Sequence, residues 1–109
     1  MKTSPDEKKC WFAVGDVLQI LGGKWAFLVL AELYKDSQRF NELRRNLDNI
    51  NTKSLTDTLR HLEQNGMIQR KVFPTVPVTV EYSLTTKGKD FQSVLIEMRN
   101  WRQRWEKEK

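Results

Sequence analysis

One cysteine, one histidine and three prolines in 109 residues exclude a good deal before any pattern is read. The lone Cys10 cannot close an intrachain disulfide, so stability has to come from packing, as in a reducing compartment. One histidine and one cysteine form no metal-spaced cluster, and His61 falls on a helical stretch with no second ligand nearby. Covalent catalysis would need a nucleophile with an adjacent base, and none is in view. The expectation is a protein that is not an enzyme and that uses no cofactor and no metal. Long apolar runs are missing too. The stretch Phe27 to Leu33 is interrupted by Glu32 and falls far short of the ~20 apolar residues of a membrane span. Residues 1–9 are polar, with no apolar segment to serve as a secretory signal, so cytoplasmic residence without membrane partners is expected.

What is present suits one small domain. Hydrophobic residues make up 39% and charged residues 30%, enough for a core beneath a well-solvated surface. Residues 1–9 read as a flexible tail and 10–109 as the domain. Nineteen Lys and Arg against fourteen Asp and Glu leave a net charge of +5, which favours a polyanionic partner.

The apolar periodicity then orders the elements. Trp11, Val14, Val17, Leu18 and Leu21 recur at helical spacing up to Gly22-Gly23. Those glycines, followed by Lys24-Trp25, lack the earlier Gly and the Ser or Thr of a P-loop, and read as a tight interhelical turn. Lys24 to Lys35 is apolar around most of its circumference, as a central helix should be. Phe40, Leu43 and Leu47 mark a short amphipathic helix, with one very short strand around Gln38 to Phe40 before it. After the cap-forming Asn49-Ile50-Asn51-Thr52, Leu55, Leu59 and Leu62 line one side of a further helix, which Gly66 stops. From Met67 the period changes to two: Ile68, Arg70 and Val72 alternate, Pro74 to Pro77 intervene, and Val78, Val80, Tyr82 and Leu84 alternate again. Thr85 caps a long last helix striped by Phe91, Val94, Leu95, Met98, Trp101 and Trp105. The fold class is α+β, mainly helical: a winged helix-turn-helix with a long terminal helix for dimerisation.

A helix that enters the major groove needs an apolar face to seat it and a donor-rich face to read base edges. Thr52 to Gln64 has both. Opposite its leucines stand Thr52, Lys53, Thr56, Asp57 and Arg60, with Ser54 near the amino end. Arg39, Arg44 and Arg45 before it, and Arg70 and Lys71 on the first hairpin strand, are candidates for neutralising phosphates. Double-stranded operator DNA is therefore the expected partner. The alternative is a winged-helix protein-interaction module that never touches DNA.

Four segments resemble a known family in order and spacing: Gly22-Gly23-Lys24-Trp25; Arg39-Phe40-Asn41-Glu42-Leu43-Arg44-Arg45; Leu59-Arg60-His61-Leu62-Glu63 with Gly66; and Glu81-Tyr82-Ser83-Leu84-Thr85. They are similar to the successive signatures of HxlR-type transcriptional regulators, relatives of the MarR-like winged-helix proteins, and the likeness runs from Cys10 to the end of the last helix. It implies a homodimeric bacterial repressor bound to an inverted repeat near the promoter it controls. It also implies that Thr52, Lys53, Ser54, Thr56, Asp57 and Arg60 read the groove. The wing departs from the pattern, with Thr79 where many relatives have a basic residue before Val-Glu-Tyr. Cys10 aligns with a cysteine that in some members senses electrophiles or oxidants, although Trp11 stands here in place of the usual proline. A small thiol beside an aromatic also suits simple packing.

Trp101 and Trp105 close the chain among Arg99, Arg102, Arg104 and Glu106. A lone domain of this size is hard pressed to bury two terminal indoles, which makes a second copy the economical partner. The expected dimer surface is Trp11, Val14, Val17, Leu95, Met98, Trp101 and Trp105. The competing expectation folds the indoles back on the chain's own first helix.

Overall fold

A computed structural model describes residues 5–106. In chain order the elements are α1 (Pro5–Leu21), α2 (Lys24–Leu33), β1 (Gln38–Arg39), α3 (Phe40–Asn46), α4 (Thr52–Gln64), β2 (Ile68–Phe73), β3 (Thr79–Leu84), α5 (Thr86–Asp90) and α6 (Gln92–Glu106). The strands form an antiparallel sheet in the order β1-β3-β2, with Gln38 opposite Tyr82 and Ile68 opposite Leu84. Three helices, a hairpin packed against them and a short first strand at its edge make a winged helix-turn-helix.

The core gathers around α2. Ala26, Val29, Leu30 and Leu33 are buried there, and Leu43 of α3, Leu55, Leu59 and Leu62 of α4, and Met67, Ile68 and Leu84 of the hairpin close over them. Each fully buried leucine contributes about 2 kcal/mol relative to exposure. The one buried polar side chain among the described residues, Gln38, is fully engaged. Its Nε2 donates to Glu32 O at 2.9 Å and its Oε1 accepts from Asn46 Nδ2 at 2.9 Å, which ties β1 and α3 to the end of α2.

The structure corrects the sequence reading in three places. The first helix begins at Pro5, inside the segment assigned to a loose tail. A segment that opens Pro-Asp-Glu, as residues 5–7 do, carries a helix-start signal, because proline suits the first helical position and the dipole favours acidic residues after it. The long terminal helix is in fact two, broken at Phe91. In an unbroken helix the Gly88 carbonyl would accept from the Gln92 N–H; here it accepts from the Tyr34 hydroxyl at 2.7 Å. Burial pushes the Tyr34 phenol above its ordinary pKa. Leu95, in the first turn of the second of these helices, packs into the chain's own core, where it is 5% exposed, so it leaves the surface assigned to a partner.

Gly88 sits where the end of the sheet meets α5. Thr85 caps α5 by accepting from the Gly88 N–H at 3.1 Å, and a Cβ on Gly88 would collide with the backbone carbonyl of Met67. Helix propensity alone would make Gly88→Ala stabilising by up to about 1 kcal/mol. The collision reverses the sign. Urea unfolding at fixed protein concentration should show a loss of roughly 2–3 kcal/mol for Gly88→Ala, and an unchanged or raised midpoint would show that the contact yields.

Candidate nucleic-acid interface

The face opposite the α4 leucines is held in place from its first residue. Asn51 caps the helix, its Oδ1 accepting from the Ser54 N–H at 2.9 Å. The turn that delivers it is tight. Asp48 and Asn49 adopt left-handed conformations, which short polar side chains tolerate better than most, while Leu47 and Ile50 on either side are buried. Arg44 Nε donates to Ile50 O at 3.3 Å and so braces this turn from α3. One of the arginines assigned to phosphates thus has an internal task.

With Leu55, Leu59 and Leu62 buried, Thr52, Lys53, Asp57 and Arg60 are exposed together along α4. Ser54 and Thr56 are half-buried, at the edges of that face. Lys53 Nζ lies 3.1 Å from Asp57 Oδ2, one helical turn on. Both ends of the pair are well exposed, so it adds little stability. It does offset the carboxylate that would otherwise face an incoming polyanion.

The hairpin divides the remaining basic residues. Arg70 opposes Tyr82 on the sheet face shared with Ile68 and Leu84, and a small cavity of about 110 Å³ brings it together with Thr56, Arg60, Glu63 and Tyr82. Arg70 therefore joins the α4 surface. The Tyr82 phenol is pushed up by burial, with Arg70 pulling it down and Glu63 adding to the rise. Lys71 opposes Glu81 on the other sheet face, with its Nζ 5.1 Å from the centre of the Phe73 ring. Arg39 shares that row, paired across the sheet with Glu81. Arg39 and Arg45 line an open groove of about 810 Å³ between α3 and β3 that also includes Thr79 and Val80. The sequence reading treated Arg70 and Lys71 as one group; the two-residue period of a strand separates them.

The two terminal helices carry the exposed aromatic side chains. Trp101 and Trp105 are 57% and 56% exposed and Trp11 is 64% exposed, so neither indole folds back on α1. Val14, Val17 and Met98 are exposed alongside them, and so are Phe12 and Leu18. Phe12 lies off the helical spacing of Trp11, Val14 and Leu18, so apolar periodicity carries no signal for it. Cys10 lies exposed on α1 rather than packed against its aromatic neighbour.

Residues 20–109 match the HxlR-like helix-turn-helix family. The chain belongs to that family. This HxlR-like chain is 45% identical over 89 residues to the HTH-type transcriptional regulator sll1512 of Synechocystis sp., an overlap covering 82% of this chain and 66% of that relative, just under two thirds. Its fold is similar to the redox regulator HypR in its reduced form, with a TM-score of 0.79 and 35% identity over 85% of this chain and 92% of HypR. It is likewise similar to the reduced form of the transcriptional regulator YodB from B. subtilis, with a TM-score of 0.76 and 30% identity over 99% of each chain. Within the described residues, no single helix of this HxlR-like protein is long and apolar enough to cross a membrane.

Proposed function

We propose that this protein is a cytoplasmic transcriptional repressor that binds an inverted-repeat operator as a homodimer, without catalysing a reaction. The observation that carries the reading is the α4 surface. One helix seats three leucines in the core and presents Thr52, Lys53, Asp57 and Arg60 on its other side, with Arg70 of the wing beside Arg60. That is the combination a major-groove reader needs: hydroxyls and cations for base edges and phosphates, on a rod that cannot roll. Family membership supports it, as do relatives that are transcriptional regulators. Arg39 and Arg45, across the α3–β3 groove, supply backbone contacts away from the reading helix, and Lys71 reaches the DNA from the outer face of the wing. Arg44 acts chiefly by holding the turn. Occupying a promoter-proximal operator blocks transcription by exclusion. The protein-interaction alternative has less in its favour, because the exposed aromatic side chains lie on the terminal helices and the winged-helix body exposes only the wing valines Val72, Val76 and Val78.

An electrophoretic shift with the protein's own upstream DNA tests the reading. Specific binding should weaken steeply with salt. Lys53→Ala and Arg60→Ala should each lower affinity by about tenfold or more if they touch bases or phosphates. Wild-type affinity in both variants would move the reading face elsewhere.

The exposed stripe of α1 and α6 is the dimer surface in this reading. Trp11, Val14, Val17, Met98, Trp101 and Trp105 together leave more apolar surface in water than a monomer ordinarily tolerates. Sedimentation should find wild type dimeric and the Trp101→Asp, Trp105→Asp double variant monomeric, with poor operator binding. A double variant that stays dimeric removes α6 from the interface.

Cys10, exposed on the same arm, makes the repressor responsive to oxidants. With one cysteine per chain, two thiols from two subunits lose two protons and two electrons to an oxidant such as diamide and form an intersubunit S–S bond, or the Cys10 thiol and one small thiol lose the same two protons and two electrons to that oxidant and form a mixed disulfide. Diamide should abolish operator binding in wild type and spare Cys10→Ser. Equal responses from the two proteins would dismiss a sensing role.

A further inference from the structure

The last turn of a helix leaves four carbonyls without an intrahelical partner. In α1 these belong to Leu18, Gln19, Ile20 and Leu21. The Gly22 N–H donates to Leu18 O at 3.4 Å and the Gly23 N–H to Leu21 O at 2.5 Å. The other two carbonyls converge on one side chain from a different element. His61 Nε2, on α4, lies 2.9 Å from Gln19 O and 2.9 Å from Ile20 O. Carbonyl oxygens only accept, so Nε2 carries the hydrogen and shares it between them. The turn is shaped to admit the ring: Gly22 sits at φ +60°, and a Cβ there would come within 3.2 Å of Nε2.

This contact stands at a joint. From Glu7 to Gln19 α1 is exposed, and only Ile20 and Leu21 at its end tuck against the core. Apolar contact is non-directional and leaves a helix free to swivel about its anchor. A hydrogen bond to two fixed carbonyls is directional and resists swivelling. His61 is also the next residue after Arg60, so the same turn of α4 holds a reading side chain and the tie to the arm.

We propose that His61 is a positioning residue that sets the angle of the reading helix α4 against the arm α1, and thereby the half-site spacing that a dimer accepts. This rests on the dimeric DNA-binding reading above. In a dimer joined through its arms, slack at each joint reaches the DNA as uncertainty in the distance between two reading helices, which must sit about one duplex turn, roughly 34–36 Å, apart. His61 touches no base in this scheme. It acts on which pairs of half-sites fit.

Three variants test it. His61→Ala removes the donor, His61→Leu removes it while filling similar space in case the alanine protein collapses, and His61→Gln returns an N–H at similar reach. Each is compared on a single half-site, on the paired site defined by footprinting wild type, and on that site with one base pair inserted. Wild type and His61→Gln should prefer the uninterrupted pair. His61→Ala and His61→Leu should lose about tenfold of that preference while binding the single half-site within about twofold of wild type. Residual dipolar couplings on the DNA-free protein should show α1 and α4 sharing one orientation frame in wild type and His61→Gln, and losing it in the other two. Unchanged spacing preference and helix orientation in His61→Leu would overturn the proposal, and so would a His61→Gln protein that behaves like His61→Leu. A wild-type protein that binds no DNA specifically would overturn the regulator reading instead, and the dipolar couplings would still decide the joint.

Discussion

The seating of three α4 leucines on α2 is the constraint from which the rest of the molecule follows. Leu55, Leu59 and Leu62 sit at intervals of four and three, so they share one side of the helix, and all three are buried against a core built on Val29, Leu30 and Leu33. Burying that side fixes the rotation of α4 about its axis. Fixing the rotation decides which polar residues face outward, and a roll of even one position would carry Lys53 and Arg60 toward the core. The polar face of α4 is therefore a by-product of hydrophobic burial. The caps and braces around it, Asn51 on the helix start and Arg44 on the turn, hold the position that burial selects.

The body and the arms obey different rules. Within the body the large apolar side chains outside the wing are buried or half-buried, and the one buried polar side chain has its partners. The arms do the opposite, with indoles left in water at both ends of the chain. Their effect on shape is measurable. A compact domain of this length has a radius of gyration near 13 Å, and this one has 16.7 Å, with a longest dimension of 61 Å. Such a chain leaves apolar side chains in water in one region and closes a packed core in the other.

Much of this was legible in the one-dimensional pattern. The order of helices and strands, the stop at Gly66, the cap at Thr85 and the leucine side of α4 all arise from neighbours within a few residues, where periodicity and capping chemistry act. What was not legible depended on partners far along the chain. Leu95 looked like part of the exposed stripe because its spacing fits the tryptophans. It shares α6 with them, and only the packing of the start of that helix against the body buries it while both indoles stay exposed. Arg70 and Lys71 looked equivalent because adjacency in sequence says nothing about which sheet face will meet α4.

His61 makes the same division within one residue. Its place on a helix, next to Arg60 and without a second metal ligand, was determined by the sequence, because local spacing decides what shares a helix. That its ring would meet the two carbonyls left over at the end of α1, some forty residues earlier, was decided only by the tertiary structure. The glycines that end α1 announce that its last carbonyls need partners, but no side-chain pattern names the distant donor that will reach them. It takes the packed chain to bring donor and acceptors within 2.9 Å.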